Sequence, residues 1–213
     1  MIIDAIVLAG GRATRLGGAS KAGLSLGGQS LLARTLAALA TARRIVVVGD
    51  SSDIAEAVPG TDVLITREFP VFSGPAAGIA AGVDALGAAA LDAGPSDFTV
   101  VVACDMPAVG DAIEALLGAV QGTDGAVAVS SDGRRQPLAG VYLTRFLSDC
   151  VAGHRDSGDL ENLSVRALLS GLDPIAVPVP DGSTDDVDTW ADATRLGVLT
   201  PQPQHTQPQH TKE

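Results

Sequence analysis

The chain has 213 residues, of which 46% are apolar, 3% aromatic and 18% charged, and its formal net charge is -11. The apolar share supports a substantial core and excludes wholesale disorder, and the length suits one domain of generous size. The acidic balance excludes a surface that gathers nucleic-acid phosphates by bulk charge, and no apolar run reaches the ~18–20 residues of a membrane span.

The first element is a predicted strand, "IDAIVLA" (3–9), short, β-branched and nearly continuous in its apolar character. Strands buried on both faces of a parallel sheet read this way. A glycine-rich loop with Arg12, Arg15 and Lys21 follows, then a predicted helix over 29–41 and a second strand, "RIVVVG" (44–49). A helix over 52–58, a strand at "DVLIT" (62–66) and a helix over 75–91 come next. Pro75 stands where a first helical turn tolerates proline, directly after Gly74. The strand "FTVVVAC" (98–104) ends before Asp105, and Pro107 opens the loop to a helix over 111–121. "GAVAVS" (125–130) is the next strand. Alternating strands and helices with short links predict an α/β fold, a sandwich around a mostly parallel sheet.

From about 132 the pattern changes. "DGRRQPLAGVYLTRFL" combines turn signals with an expected edge strand leading into a helix. A helix near 160–170, a strand at "IAVPVP" (175–180) and a last helix from Thr189 complete the pattern. Pro178 and Pro180 demote that strand to an edge or to irregular structure. Thr189 and Asp192, three apart, have capping-box spacing. One folded body over 1–199 is expected, followed by a disordered tail over 200–213 that repeats "QPQHT" in tandem.

The start of the chain lacks a basic n-region and carries Asp4, so it does not read as a signal peptide. Cys104 and Cys150 are too few for a disulfide framework, which points to the reducing cytoplasm. No Ser-His-Asp, Cys-His or metal-thiolate arrangement stands out. Cys104 reads as a small buried hydrophobe and His154 as structural.

Two features carry chemistry. In the loop after the first strand, glycine permits positive φ and close ligand approach, so successive N–H groups can cradle an anion. Ligands of open α/β sheets bind just past the carboxyl ends of the strands. The loop fits neither the Walker A pattern nor the dinucleotide fingerprint. A triphosphate best uses backbone donors, guanidiniums and an ammonium together. Lys21 and Lys212 are the only lysines in the sequence, and the second lies in the tail. The second feature is acidic. Asp105 ends a strongly apolar strand, where a carboxylate is costly unless it meets a cation or donors. Mg²⁺ takes one or two carboxylates plus substrate phosphates, a role Asp105 fits. In "STDDVDTWAD", Asp186 and Asp188 alternate with Val187 and can face one side of an extended segment.

"LAGGRATRLGGASK" resembles the nucleotidyltransferase signature L-A-G-G-x-x-x-R-[LM]-G-x-x-x-K, in the form found in the MobA-like molybdenum cofactor guanylyltransferases. That resemblance implies a Rossmann-like three-layer αβα sandwich and transfer of GMP from GTP to the molybdopterin phosphate, with release of pyrophosphate. It also implies a site. Leu8, Ala9 and Gly10 would border the base, while Gly10, Gly11, Arg15 and Lys21 would hold the phosphates. Arg15, Lys21 and Asp105 form the implied catalytic set, and Mg²⁺ would sit on Asp105 and Asp188. "TREFPVFSGPAAG" resembles the family's R-E-x-x-P-x-x-G-P-x-A-G segment, which brings Arg67 and Gly78 to the nucleotide. "DGRRQPLAGVY" resembles its acceptor-side segment, where Arg134 and Arg135 would meet an anionic acceptor or stand solvated in a hairpin. "DVDTWAD" resembles the terminal acidic or amide motif that helps hold the metal. Ser20 stands where the branch usually has Asp, Asp186 and Asp188 where many members have Asn, and Trp190 where they have Pro. The Asp form also occurs in cytidylyltransferase cousins. CTP as donor, another phosphorylated acceptor such as phospholactate, or a non-catalytic nucleotide-binding module are the alternatives. The implied partners are GTP and the molybdenum cofactor, with no nucleic acid and no membrane, in a monomer or weak homo-oligomer.

Overall fold

A computed structural model describes residues 1–11, 16–18, 20–91 and 94–200. Its centre is a sheet of seven strands: β1 (Ile3–Leu8), β4 (Arg44–Val48), β5 (Leu64–Thr66), β6 (Phe98–Ala103), β7 (Gly125–Val129), β8 (Arg135–Leu143) and β9 (Ile175–Pro178). Two further strands, β2 (Ser25–Leu26) and β3 (Gln29–Ser30), form a small antiparallel pair. The order across the main sheet is β5-β4-β1-β6-β8-β7-β9. β5, β4, β1 and β6 run parallel, β8 runs against both of its neighbours, and β9 is parallel to β7.

The apolar runs form strands because they are covered on both faces. Along β1, Ala5 and Val7 join one core with Val47, Val100 and Val102, while Ile6 joins the other with Val46 and Val101. The first core is closed by α1 (Leu31–Ala38), α2 (Ser51–Ala57) and α4 (Val109–Ala119), through Leu32, Ile54 and Leu116 among others. The second is closed by α3 (Pro75–Ala89), α5 (Thr144–Ser157) and α6 (Val165–Leu168), through Ile79, Leu147 and Leu168. The result is a Rossmann-like three-layer αβα sandwich. A third cluster gathers Leu16, Leu24 and Leu31 with Val187, Ala193 and Val198, and so fastens α7 (Trp190–Leu196) beside the loop that follows β1.

Local signals set the ends of these elements. Ser30 caps α1, accepting from the Ala33 amide at 3.0 Å. Gly74 precedes Pro75 at φ +94°, a conformation that favours glycine, and this turns the chain from the β5 loop into α3. At α7 the capping box is complete, with the Thr189 hydroxyl and the Asp192 carboxylate each serving the other's amide.

The expectation for 132–147 needs correction. β8 is not an edge strand; it lies between β6 and β7 and pairs with both. Its exposed, polar start at Arg135 conceals a buried second half at Ala139, Gly140, Val141 and Tyr142. The edges are β5 and β9, the latter the strand that carries Pro178. No helix among the described residues is long and apolar enough to cross a membrane. The expectation for the tail falls on residues 201–213, which lie outside the described residues.

Candidate active site

Parallel strands put the carboxyl ends of β1, β4, β5 and β6 on one edge of the sheet, and the antiparallel β8 starts there. The loops that leave this edge build two adjoining cavities. The first, of about 310 Å³, is lined by Leu8, Gly10, Gly11, Lys21, Val48, Glu68, Phe72, Gly74, Gly78 and Asp105 among others. The second, of about 230 Å³, shares Gly10, Gly11, Lys21, Glu68 and Phe72 and adds Ala9, Asp50, Ser52 and Arg67. Leu8, Ala9, Gly10, Gly11, Lys21, Arg67, Gly78 and Asp105 therefore meet at one place. Arg15 and Arg12 lie outside the described residues.

Asp105 stands two residues past β6. Its backbone carbonyl accepts from the Val187 amide at 3.0 Å, which draws the segment before α7 across the end of the sheet. Val187 is fully buried in the third apolar cluster, so its neighbours Asp186 and Asp188 face away from that cluster and towards Asp105. One oxygen from each of Asp105, Asp186 and Asp188 lies within 4.8 Å of the others. Hard oxygen donors in this number suit a divalent cation such as Mg²⁺.

Lys21, at the start of a single 3₁₀ turn (Lys21–Gly23), extends into this group. Its Nζ donates to Asp105 Oδ2 at 2.8 Å and to Asp188 Oδ1 at 2.6 Å. Burial works against its positive charge, but attraction and hydrogen bonds from Asp105 and Asp188 outweigh it and leave the pKa above the ordinary lysine value. Asp186 shifts upward too: burial comes first, followed by repulsion from Asp188 and Asp105. Cys104, beside Asp105, is buried, and burial pushes its thiol far up, so it is a packing residue and not a nucleophile.

Other basic residues are engaged more locally. Arg67 Nη1 pairs with Asp50 Oδ2 at 2.7 Å, and its guanidinium stands 5.4 Å from the centre of the Phe72 ring. Asp50 is also the cap of α2, accepting from the Ser52 amide at 2.9 Å. Arg134 pairs with Asp132 in the hairpin between β7 and β8 and is largely solvated. Arg135 reaches the Pro174 carbonyl at 3.4 Å. Both line a separate cavity with Arg166. His154 is paired with Asp159 at 2.9 Å on the surface.

Glu68, Phe72 and Asp50 also line the cavities. The sequence carries no chemical signal for Phe72 or Asp50; Glu68 belongs to the segment that the family resemblance brings to the nucleotide, without a role of its own there.

A family model described as the MobA-like NTP transferase domain matches residues 5–179. The molybdenum cofactor guanylyltransferases of Shewanella sp. (strain MR-4) and Shewanella baltica (strain OS155 / ATCC BAA-1091) are each 27% identical to the chain over 158 residues, covering 74% of it and 76% of each relative. Among solved structures, molybdopterin-guanine dinucleotide biosynthesis protein A from Archaeoglobus fulgidus is similar with a TM-score of 0.64 at 22% identity, covering 91% of this chain and 96% of that one. The 2-C-methyl-D-erythritol 4-phosphate cytidylyltransferase from Thermus thermophilus is similar with a TM-score of 0.63 at 21% identity, covering 92% and 97%. At these identities the structural likeness carries the fold. The family match runs from the first strand of the sheet through the last, and by it the chain belongs to the MobA-like NTP transferase family.

Proposed function

We propose that the chain transfers GMP from GTP to the phosphate of molybdopterin, releasing pyrophosphate, with Mg²⁺ as cofactor. The observation that carries this reading is the convergence of Lys21 with Asp105, Asp186 and Asp188 at the mouth of the cavities, beside the glycine loop. It is the arrangement a phosphoryl-transfer site needs, with a cation for the leaving group and hard oxygens for a metal. The guanylyltransferase names of the Shewanella relatives favour GTP and the molybdopterin acceptor.

In this reading an acceptor phosphate oxygen attacks the α-phosphorus of GTP in line, and the bond to the bridging oxygen of the β-phosphate breaks. The electron pair leaves with pyrophosphate. The acceptor phosphate is already ionised at neutral pH, so no general base is required. What the protein supplies is position and countercharge. The amides near Gly10 and Gly11 and the Lys21 ammonium hold the β- and γ-phosphates, and Arg15 adds its guanidinium. Gly11 has φ +145°, which keeps its backbone open to a ligand. Leu8 and Gly78 line the first cavity and would flank the nucleoside, while Arg67 and Ala9 line the adjoining one. Asp105 and Asp188, with Asp186 adjacent, would hold the Mg²⁺, which when bound withdraws charge from the reacting phosphates. For the metal to seat, Lys21 must leave the two carboxylates, and an incoming triphosphate gives its ammonium a new partner.

The test is incubation of the protein with GTP, Mg²⁺ and metal-loaded molybdopterin, scoring pyrophosphate and dinucleotide together. Stoichiometric formation of both is expected. Release with CTP in place of GTP, or no release with either, would overturn the assignment.

A further inference from the structure

One edge of the sheet leaves apolar surface uncovered. Among the described residues β5 has β4 as its strand partner and none on its outer side. Its residues, Leu64–Thr66, include no charge or proline of the kind that guards an open edge. Leu64 and Ile65 point to opposite faces of the sheet, yet both are exposed. In the loop that follows, Val71 is exposed and Phe69 is 95% exposed. Aromatic residues make up 3% of the sequence, so a phenyl ring left almost wholly in water calls for a partner. Phe69 lines neither cavity of the candidate active site.

Beside this ring lies a hollow of about 660 Å³. Ala77, Ala81 and Ala85 share one face of α3 and line it with Ala80, and Leu160 adds to its apolar surface. Phe69 and Pro70 belong to its rim, but at 95% exposure the ring does not fill it. The patch therefore holds a projecting ring and, next to it, a recess walled by small side chains.

Its charges are balanced. Arg67, Arg155, Asp84 and Glu161 line the same hollow, two of each sign. Arg155 pairs with Asp84 at 2.7 Å, and Arg67 with Asp50 at 2.7 Å. A basic partner drawn to a chain of net charge -11 would find no acidic excess here, and an acidic partner no basic excess. A second copy of the chain meets little repulsion at a balanced patch. A two-fold contact also requires a patch that complements itself, and ring beside recess does so, because the rotation sets each ring against the other copy's recess.

We propose that the chain forms a two-fold symmetric dimer through this face, with Phe69 of each copy inserted into the alanine-lined hollow of the other and Leu64, Ile65 and Val71 covered between them. The open edge of β5 is then shielded from further pairing. Arg67 lines both the hollow and the second cavity of the active site, so association and the nucleotide site share one loop. Nothing in the contact depends on which nucleotide or acceptor the chain uses.

Sedimentation equilibrium of the full chain over a concentration series tests this in wild type, Phe69→Asp, Ala81→Glu and Ile175→Thr. Wild type is expected to be dimeric at micromolar concentration. Phe69→Asp removes the ring and Ala81→Glu fills the recess. Each strikes both halves of a two-fold contact, so each should weaken the dimer by at least about a hundredfold. Phe69 is exposed and Ala81 half-buried on a helix that glutamate suits, and melting curves check that both variants fold. Ile175→Thr alters an exposed apolar residue of β9, at the opposite edge of the sheet, and should leave the dimer intact. A wild type that stays monomeric overturns the proposal. A dimer that either folded variant leaves intact, or that Ile175→Thr dissociates as well, overturns it equally.

Discussion

The ammonium of Lys21 lies 2.8 Å from Asp105 and 2.6 Å from Asp188, bridging two carboxylates that are 83 residues apart in sequence (188 less 105). In the proposed reaction both carboxylates hold a metal, so lysine and metal compete for the same oxygens. Lys21→Met is expected to tighten Mn²⁺ binding in the absence of nucleotide, because the internal cation is gone. The same variant should lower turnover by orders of magnitude, since the leaving pyrophosphate loses its countercharge. Electron paramagnetic resonance titration with Mn²⁺ measures the first effect and pyrophosphate release the second. Weaker Mn²⁺ binding in Lys21→Met would refute the competition.

Asp105→Ala removes the oxygen donor fixed to the end of β6. Loss of both Mn²⁺ binding and turnover is expected, by at least about a hundredfold in turnover on the scale of other electrostatic contributors to catalysis. The melting temperature should stay close to wild type, because the Val187 amide bonds to the backbone carbonyl of Asp105 and not to its side chain. Near-normal activity would remove Asp105 from the metal site.

Val187 is the buried pivot between Asp186 and Asp188. Val187→Ala deletes two methyl groups from a cluster with Leu16, Leu24 and Leu31, and is expected to cost about 2 kcal/mol from lost burial and the cavity left behind. It should also weaken Mn²⁺ binding, because the segment that aims both carboxylates loosens. Chemical denaturation and Mn²⁺ titration on one preparation test both parts. Stability that falls while metal affinity stays unchanged would dissociate the two.

The capping box of α7 gives a pH dependence with a definite sign. The Thr189 hydroxyl hydrogen bond, aided by the Thr189 amide and by Arg195, holds the Asp192 carboxyl below its ordinary value of 3.8. A carboxylate depressed in the folded state stabilises the fold above its unfolded pKa and loses that contribution as pH falls through the folded one. Asp192→Ala is therefore expected to melt below wild type at neutral pH, with the gap narrowing as the solution is acidified past the ordinary carboxylate range. Thr189→Ala should cost about 1 kcal/mol at neutral pH, as removal of an N-cap generally does. A gap for Asp192→Ala that is constant with pH would show that the charge contributes nothing.

Gly82 in α3 is packed against Ile6 of β1. A Cβ built on it would stand 2.6 Å from Ile6 Cγ2, and Ile6 is fully buried. Alanine at a helix interior is otherwise favoured by up to about 1 kcal/mol over glycine. Here overpacking should win, and Gly82→Ala is expected to destabilise by about 1–3 kcal/mol. In an Ile6→Ala background, which removes the opposing Cγ2, the cost of Gly82→Ala should shrink in a denaturation double-mutant cycle.

Much of this was legible in the residues because the governing physics is local. Strands β1, β4 and β6 are buried on both faces, so their apolar runs are nearly continuous and the pattern announces a parallel sheet. Lys21 stood out through scarcity and Asp105 through charge at the end of an apolar strand, while Asp188 came from the resemblance of "DVDTWAD" to the terminal acidic motif. β8 was read as an edge because hydrophobicity records burial and says nothing of strand direction. Its antiparallel place between β6 and β7 depends on pairing partners far along the chain. Asp4 is similar: a carboxylate inside a buried strand is explained only by Arg43, which reaches both of its oxygens at 3.0 and 2.7 Å from the residue before β4. Phe72 could not be singled out, since its place at the cavities comes from where the β5 loop lies over the sheet edge and not from any spacing.

The bond from Lys21 to Asp188 joins positions 167 residues apart, with every described strand of the sheet lying at or before residue 178. The acidic triad is therefore completed by a segment that follows every described strand of the sheet. A message truncated just after β9 would yield a protein with all these strands and its glycine loop but neither Asp186 nor Asp188. In the proposed reaction such a protein would lack two of the three carboxylates gathered at the end of β6.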